Sequence, residues 1–340
     1  MRIVIGIIGS MLGLIVVLLL VLLVSAGLSL DHEFEHTSRT EALPLLVPGV
    51  SDGLVRIPAR GMMFRARVAG LEQDGPAVIM LHGFPETSMM WEPLIEEAVA
   101  AGFRVVAFDQ RGYSPGARPD GVEAYELSEV VADLFAVASA VGMERFHLVA
   151  HDWGSIAGWL ATAENPDRIL SYASLSIPHP STIGAANAAD SIPSYVRFFQ
   201  RPGLAERLLF ALDSRLLRGM YSEMPPDLLT EYLAVFSEPG AMRAALNWYR
   251  VRPPFVFGEP FVGEVVQPVL FVTGNQDLPF LVRQEIRQLH PSFVTGPLKV
   301  VDVDAGHWLM QEETGQVVQV VMTHLVAQAN SLDEIHDSAE

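Results

Sequence analysis

Leu148-Val149-Ala150-His151-Asp152-Trp153-Gly154-Ser155 is the stretch of this chain whose residue types and spacing suit chemistry. An apolar strand runs into a pivot flanked by small residues, and the small and apolar residues Ile156 to Ala163 follow as a helix. A sharp strand-to-helix turn of this kind thrusts one side chain out above a parallel sheet. The residues two before and two after the pivot must be small, and here they are Ala150 and Gly154 around Asp152. A carboxylate at the pivot performs the attack that serine performs in commoner versions of the turn. Such a site needs a base to activate water, a carboxylate to orient that base, and donors for a developing oxyanion.

In hydrolytic sites built on this turn the order along the chain is nucleophile, acid, histidine. Of ten histidines, two lie between the helical middle of the chain and its last helix, His290 and His307. His307 follows the last buried strand, Leu298 to Val303, in Asp304-Ala305-Gly306-His307-Trp308. That is the C-terminal edge of the sheet, where ligands bind in open α/β folds. Asp277 follows the strand Gln267 to Gly274 at the same edge and is the expected acid. His82-Gly83-Phe84-Pro85 follows the strand Ala77 to Leu81. Gly83 lets backbone approach substrate, and the Phe84 N–H pairs with that of Trp153 as an oxyanion hole. Ser155 stands one residue beyond the small position and is not read as a nucleophile.

The elements that position these residues alternate in type. Leu54 to Ile57 and Met62 to Ala69 form an opening hairpin around Ala59-Arg60-Gly61. Strands Ala77–Leu81, Arg104–Phe108, Phe146–His151 and Ile169–Ser176 then alternate with helices Trp91–Ala101 and Ser128–Val141, Ser128 serving as N-cap. Alternation of this kind predicts a mostly parallel sheet with helices on both faces. The pattern stops at Ile177-Pro178-His179-Pro180, and helices are expected over 194–200, 204–218, 226–236 and 241–249. Strand pattern resumes at Gln267, followed by helices over 281–289 and 317–328. The division is therefore a core of 51–177 and 262–330, a helical insertion over 178–261, a linker over 31–50 and an acidic tail over 331–340.

Half of the 340 residues are hydrophobic, and 40 acids against 22 Lys and Arg leave a net charge of −18. With no basic cluster, nucleic acid is not an expected partner. The chain has no cysteine, which excludes disulfides, thiol catalysis and thiolate metal sites. From Ile3 to Leu30 no residue is charged. As a helix that segment spans about 42 Å, enough to cross a hydrocarbon core of about 30 Å. It is expected to anchor the chain in a membrane with the main domain extracytoplasmic, cleavage after Val24-Ser25-Ala26 being the alternative.

His82-Gly83-Phe84-Pro85-Glu86, Asp109-Gln110-Arg111-Gly112-Tyr113 and His151-Asp152-Trp153-Gly154 resemble the signature segments of the epoxide hydrolases within the α/β-hydrolase superfamily. The resemblance covers roughly residues 50 to 328. These segments equally suit haloalkane dehalogenases, which share the aspartate pivot and use the adjacent tryptophan N–H to hold halide. The insertion separates the two. Ser194 to Gly203 and Leu246 to Arg250 resemble the cap segments that carry the epoxide hydrolases' two ring-opening tyrosines, which implies Tyr195 and Tyr249 in that role. Ala150 and Ser155 depart from glycines common in the family, and both are still small.

The resemblance implies an α/β-hydrolase fold with an inserted helical cap and a reaction between a small apolar epoxide and water, with no metal or organic cofactor. Asp152 attacks, His307 and Asp277 hydrolyse the resulting ester, and Phe84 and Trp153 hold the oxyanion. Pro85, Phe198 and Phe199 are expected to contact substrate, and Met220, Tyr221 and Phe236 add to an apolar pocket. A dehalogenase and a catalytically silent, membrane-tethered binding protein are the alternatives.

Overall fold

The structure, a computed structural model, describes residues 16–22, 43–47, 49–185, 193–221, 224–251, 262–277, 288 and 290–337. Eight strands form one sheet: β1 (Gly53–Ala59), β2 (Met62–Ala69), β3 (Ala77–Leu81), β4 (Arg104–Phe108), β5 (Phe146–His151), β6 (Ile169–Leu175), β7 (Val269–Gly274) and β8 (Leu298–Val303). Their spatial order is β1-β2-β4-β3-β5-β6-β7-β8. The first two strands pair antiparallel, as do β2 and β4, and every later pair is parallel. Every residue of β3, β5 and β7 is buried, which is why β3 reads as an unbroken apolar run and β5 and β7 as mostly apolar rather than alternating ones. Helix Leu127–Ala140 packs with Trp153–Glu164, and Glu92–Ala100 packs with Thr314–Asp337, so a helix pair covers each face. Because β3 to β8 run parallel, their C-terminal ends share one edge, and the loops after β3, β5, β7 and β8 meet there.

Between β6 and β7 the described residues form helices Pro180–Ala185, Ser194–Phe199, Leu204–Met220 (broken by non-helical backbone at Ala211 to Ser214), Pro226–Phe236 and Ala241–Arg250. The fourth of these is held to the sheet by charge. Glu231 accepts from Arg65 at 3.1 Å and Arg67 at 2.6 Å, both on β2, and from the Thr87 hydroxyl at 2.6 Å. The last is tied to the core by the Trp248 indole, which donates to the Arg111 carbonyl at 2.8 Å.

Several expectations need correction. Helix Leu127–Ala140 starts on Glu126, whose extended backbone ends the preceding turn, so Ser128 sits inside the first turn and caps nothing. The last helix runs on to Asp337, since no Pro or Gly follows Asn330 to stop it; the expected tail is therefore largely helical. Nor is the end of the linker free: Leu46 donates to the Arg56 carbonyl and Arg56 to that of Pro44, laying it along β1. Residues 16–22 are helical, with the apolar side chains of Val16 to Val21 exposed. The rest of the expected anchor, its cleavage site, residues 31–42 of the linker and most of the helix expected over 281–289 lie outside the described residues. Among the described residues no helix is long and apolar enough to cross a membrane.

Removing the Glu231 carboxylate leaves two largely buried guanidinium groups short of an acceptor. Glu231→Ala is expected to cost about 1–3 kcal/mol of stability, read as a lower urea midpoint. An unchanged midpoint would show that this clasp contributes nothing.

Candidate active site

At the end of β5 the chain turns so tightly that Asp152 takes a left-handed backbone, φ 50° and ψ −121°. A non-glycine residue pays strain for that conformation, and it holds only where its surroundings enforce it. Two close approaches do so here. A Cβ on Gly154 would lie 2.5 Å from the Leu81 carbonyl oxygen, and one on Gly83 would lie 2.4 Å from Asp152 Cβ. The loop after β3 and the turn after β5 therefore touch backbone to backbone. Ser155, fully buried, donates to the Ala150 carbonyl at 2.8 Å and braces the turn, in keeping with its not being a nucleophile.

The two oxygens of Asp152 face different partners. Oδ1 accepts the Phe84 N–H at 2.8 Å. Oδ2 lies 3.5 Å from His307 Nε2. The Trp153 amide opens the helix Trp153–Glu164, and no carbonyl within that helix can accept from it. The same helix end favours a negative charge on Asp152. On the far side of the imidazole, His307 Nδ1 donates to Asp277, with contacts of 3.0 and 3.2 Å to its oxygens. That bond leaves Nε2 as the atom that meets Asp152 and its surroundings.

Burial alone would raise the Asp152 pKa, but the bond and charge of His307, the charge of His151 and the Phe84 N–H outweigh it and set it below the usual carboxylate value. His307 moves the other way. Burial would lower it, yet Asp277 and then Asp152 raise it well above the ordinary imidazole value. Asp277, His307 and Asp152 thus stand in one row, an arrangement that favours protonation of the imidazole.

The loop carrying Phe84 is held from below. His82 Nε2 accepts the Gln110 N–H at 3.1 Å, so its proton is on Nδ1, which donates to the Gly83 carbonyl at 2.8 Å. Burial keeps His82 neutral by lowering its pKa. Sequence reasoning missed a layer behind these residues. Fully buried Glu86 contacts His151 Nδ1 at 2.7 Å and accepts from Gln311 at 2.7 Å, while His151 Nε2 donates to the His307 carbonyl at 2.9 Å. Glu86 and His151 stand inside the quoted signature segments, a signal that was on the page; Gln311 carried none.

Helices Ser194–Phe199 and Ala241–Arg250 bring Tyr195 and Tyr249 together, their rings 6.4 Å apart. Gln200 Nε2 donates to the Tyr249 carbonyl at 3.0 Å and joins the two helices. The Tyr249 ring lies edge-on to Trp153 at 5.0 Å and Phe84 at 5.3 Å. Burial, followed by the Asp152 charge, raises both phenols above their ordinary pKa, so both stay protonated donors. Phe199 packs against Phe84 and Tyr249, and half-buried Phe198 against Phe199. Pro85 is buried in the loop, its carbonyl bonded by Tyr221. Phe236 is fully buried between Phe84 and Tyr113, deeper than a pocket lining requires.

Residues 76–314 match the family model described as alpha/beta hydrolase fold. The chain is 30% identical over 312 residues to epoxide hydrolase A of Mycobacterium tuberculosis, covering 79% of this chain and 96% of that protein. It is also 30% identical over 279 residues to the AB hydrolase superfamily protein YfhM of Bacillus subtilis, covering 79% of this chain and 96% of that one. Among solved structures, epoxide hydrolase A from Mycobacterium thermoresistibile superposes with a TM-score of 0.71 at 27% identity, covering 81% of this chain and 98% of that chain. With the sheet order, the pivot and these similarities agreeing, the chain belongs to the epoxide hydrolase family of the α/β-hydrolase superfamily.

Proposed function

We propose that the protein hydrolyses an apolar epoxide to a vicinal diol through a covalent ester on Asp152. The observation that carries this reading is the divided carboxylate, with an amide on Oδ1 and a carboxylate-backed imidazole at Oδ2, near the buried phenol of Tyr249 and the half-buried one of Tyr195.

An epoxide is a strained ether, but opening it expels an alkoxide, which is costly unless its oxygen is held by acidic donors. Tyr195 and Tyr249 supply two phenolic O–H groups, and one of them protonates the oxygen as the ring opens. Oδ2 of Asp152 forms the new C–O bond and the ring C–O bond breaks, giving a hydroxyalkyl ester. Water, deprotonated by His307 Nε2, then adds to the ester carbon. Charge develops on Oδ1, where the Phe84 and Trp153 amides stabilise it. Collapse releases the diol, its Oδ2 oxygen leaving with the proton that His307 took from water. The carboxyl rebuilt from Oδ1 and the water oxygen gives its remaining proton to His307. The phenolate left by ring opening regains, through solvent, the proton that His307 shed to become a base. Pro85, Phe198 and Phe199 bound the apolar side of the substrate.

Dehalogenation shares the aspartate step but needs the tryptophan N–H for halide. Here that indole packs edge-on against the Tyr249 ring, with the Tyr195 ring 6.4 Å from Tyr249, and this pair of phenols favours the epoxide reading.

His307→Gln, mixed with a panel of apolar epoxides, is expected to accumulate the ester, read as a mass gain equal to the substrate on the peptide containing Asp152. No adduct with any epoxide that the wild type turns over would sink the proposal. Tyr195→Phe and Tyr249→Phe are each expected to slow ester formation, and the double variant by about 10²–10⁴-fold. Ester formation at the wild-type rate in the double variant would remove the phenols from the mechanism.

The pH dependence has a definite sign. Forming the ester neutralises Asp152 and removes its share of what raises His307, so the His307 pKa falls in the ester. Ester hydrolysis needs neutral imidazole; its rate is full above that lowered pKa and is lost as pH drops through it. The acid limb of the hydrolysis profile is therefore expected at lower pH than the His307 midpoint measured by imidazole NMR in the resting protein. Coincident midpoints would contradict the coupling.

A further inference from the structure

We propose that Tyr221, a residue of the inserted helical segment, positions the oxyanion-stabilising loop and acts selectively on the second half of the reaction. The inference rests on the proposed ester at Asp152.

Tyr221 stands immediately after helix Leu204–Met220, buried, and its hydroxyl donates to the Pro85 carbonyl. Pro85 has no N–H, so that carbonyl is its one backbone hydrogen-bonding group. The residue before it is Phe84, whose N–H lies on Asp152 Oδ1 at 2.8 Å. The loop closes on itself through the Glu86 N–H, which donates to the Gly83 carbonyl at 3.1 Å, so a shift at Pro85 is felt at Phe84. Beside Tyr221, the Met220 carbonyl accepts the Trp308 indole N–H at 2.9 Å, and Trp308 is the neighbour of His307. The dipeptide Met220-Tyr221 thus bonds both the loop that bears an oxyanion donor and the loop that bears the base. The Tyr221 ring is fixed between Tyr232 at 5.6 Å and Trp308 at 6.1 Å. Neither contact depends on the hydroxyl.

The two half-reactions use the Phe84 N–H with opposite signs. In the resting carboxylate Oδ1 carries part of the negative charge, and forming the ester draws that charge away. A well-placed donor stabilises the start of that step more than its transition state. In ester hydrolysis charge arrives on Oδ1, and the same donor stabilises the transition state. Loosening the loop therefore slows hydrolysis while leaving alkylation unchanged or faster. A residue with only a structural role moves both rates the same way.

The test is Tyr221→Phe in the full chain, which removes one oxygen and keeps the ring. The probe is the epoxide turned over fastest in the panel, mixed rapidly with protein, quenched and read by intact mass. The expected result is an alkylation constant at or above that of the wild type and hydrolysis slowed about tenfold, less than the 10²–10³-fold cost of deleting a donor outright. The ester then makes up a larger steady-state fraction than in the wild type. Tyr232→Phe, whose hydroxyl makes no hydrogen bond to residues 83–86 among the described residues, is the control and should leave the ratio of the two constants unchanged. Should Tyr221→Phe not fold, Trp308→Phe releases Met220 instead; it is expected to shift the ratio the same way with the pH profile of hydrolysis unmoved. Both constants falling together, or hydrolysis at the wild-type rate, would overturn the inference. A wild type that forms no ester would overturn the reading beneath it, and the two failures are separated by that first trace.

Discussion

The structure turns on a single contact, the Phe84 N–H on Oδ1 of Asp152, with His307 at the other oxygen. Asp152 can be held this way only because its backbone is forced to a positive φ, and that is possible only because Gly83 and Gly154 let two chain segments touch. In the proposed reaction the two oxygens then have separate fates: one leaves with the product and the other stays in its amide cradle. A carboxylate free to rotate would have no such division.

Much of the surrounding molecule serves to keep that division under electrostatic load. Asp277 and Asp152 favour the charged form of His307, and His307 with the amide favours the ionised form of Asp152 against burial. Neutralising either partner changes the other, so in the proposed reaction the first step would prepare the second. The inserted helices add the phenols from above, while Glu231, Trp248 and Trp308 fix those helices to the sheet and its loops. The insertion is thus bonded to the loops that carry the reaction as well as covering them.

The core of this arrangement was legible in the amino-acid order. A fully buried parallel strand is mostly or wholly apolar, as β5 and β7 are mostly and β3 is wholly, so these strands and the residues just past them could be placed before any contact was known. Asp277 and His307 follow from that, because the edge of a parallel sheet collects the ends of its strands. The helix start at Glu126 rather than Ser128 was not legible, since backbone geometry, with no side-chain bond, sets it. The layer of Glu86, His151 and Gln311 joins residues far apart in sequence, and a polar residue's partner cannot be read from its own type. Tyr221 shows the same limit: an aromatic residue in a helical insertion reads as pocket lining, and only the position of its hydroxyl shows that it holds Pro85.

The central claim is that Asp152 Oδ2 becomes a product oxygen and water repairs the carboxylate. A single turnover with enzyme in excess of epoxide, in 18O-labelled water, tests this directly. The account predicts a first-turnover diol free of label, with one 18O atom found in the peptide containing Asp152. Label in the first-turnover diol and none in Asp152 would mean that water opens the ring directly, and would contradict it.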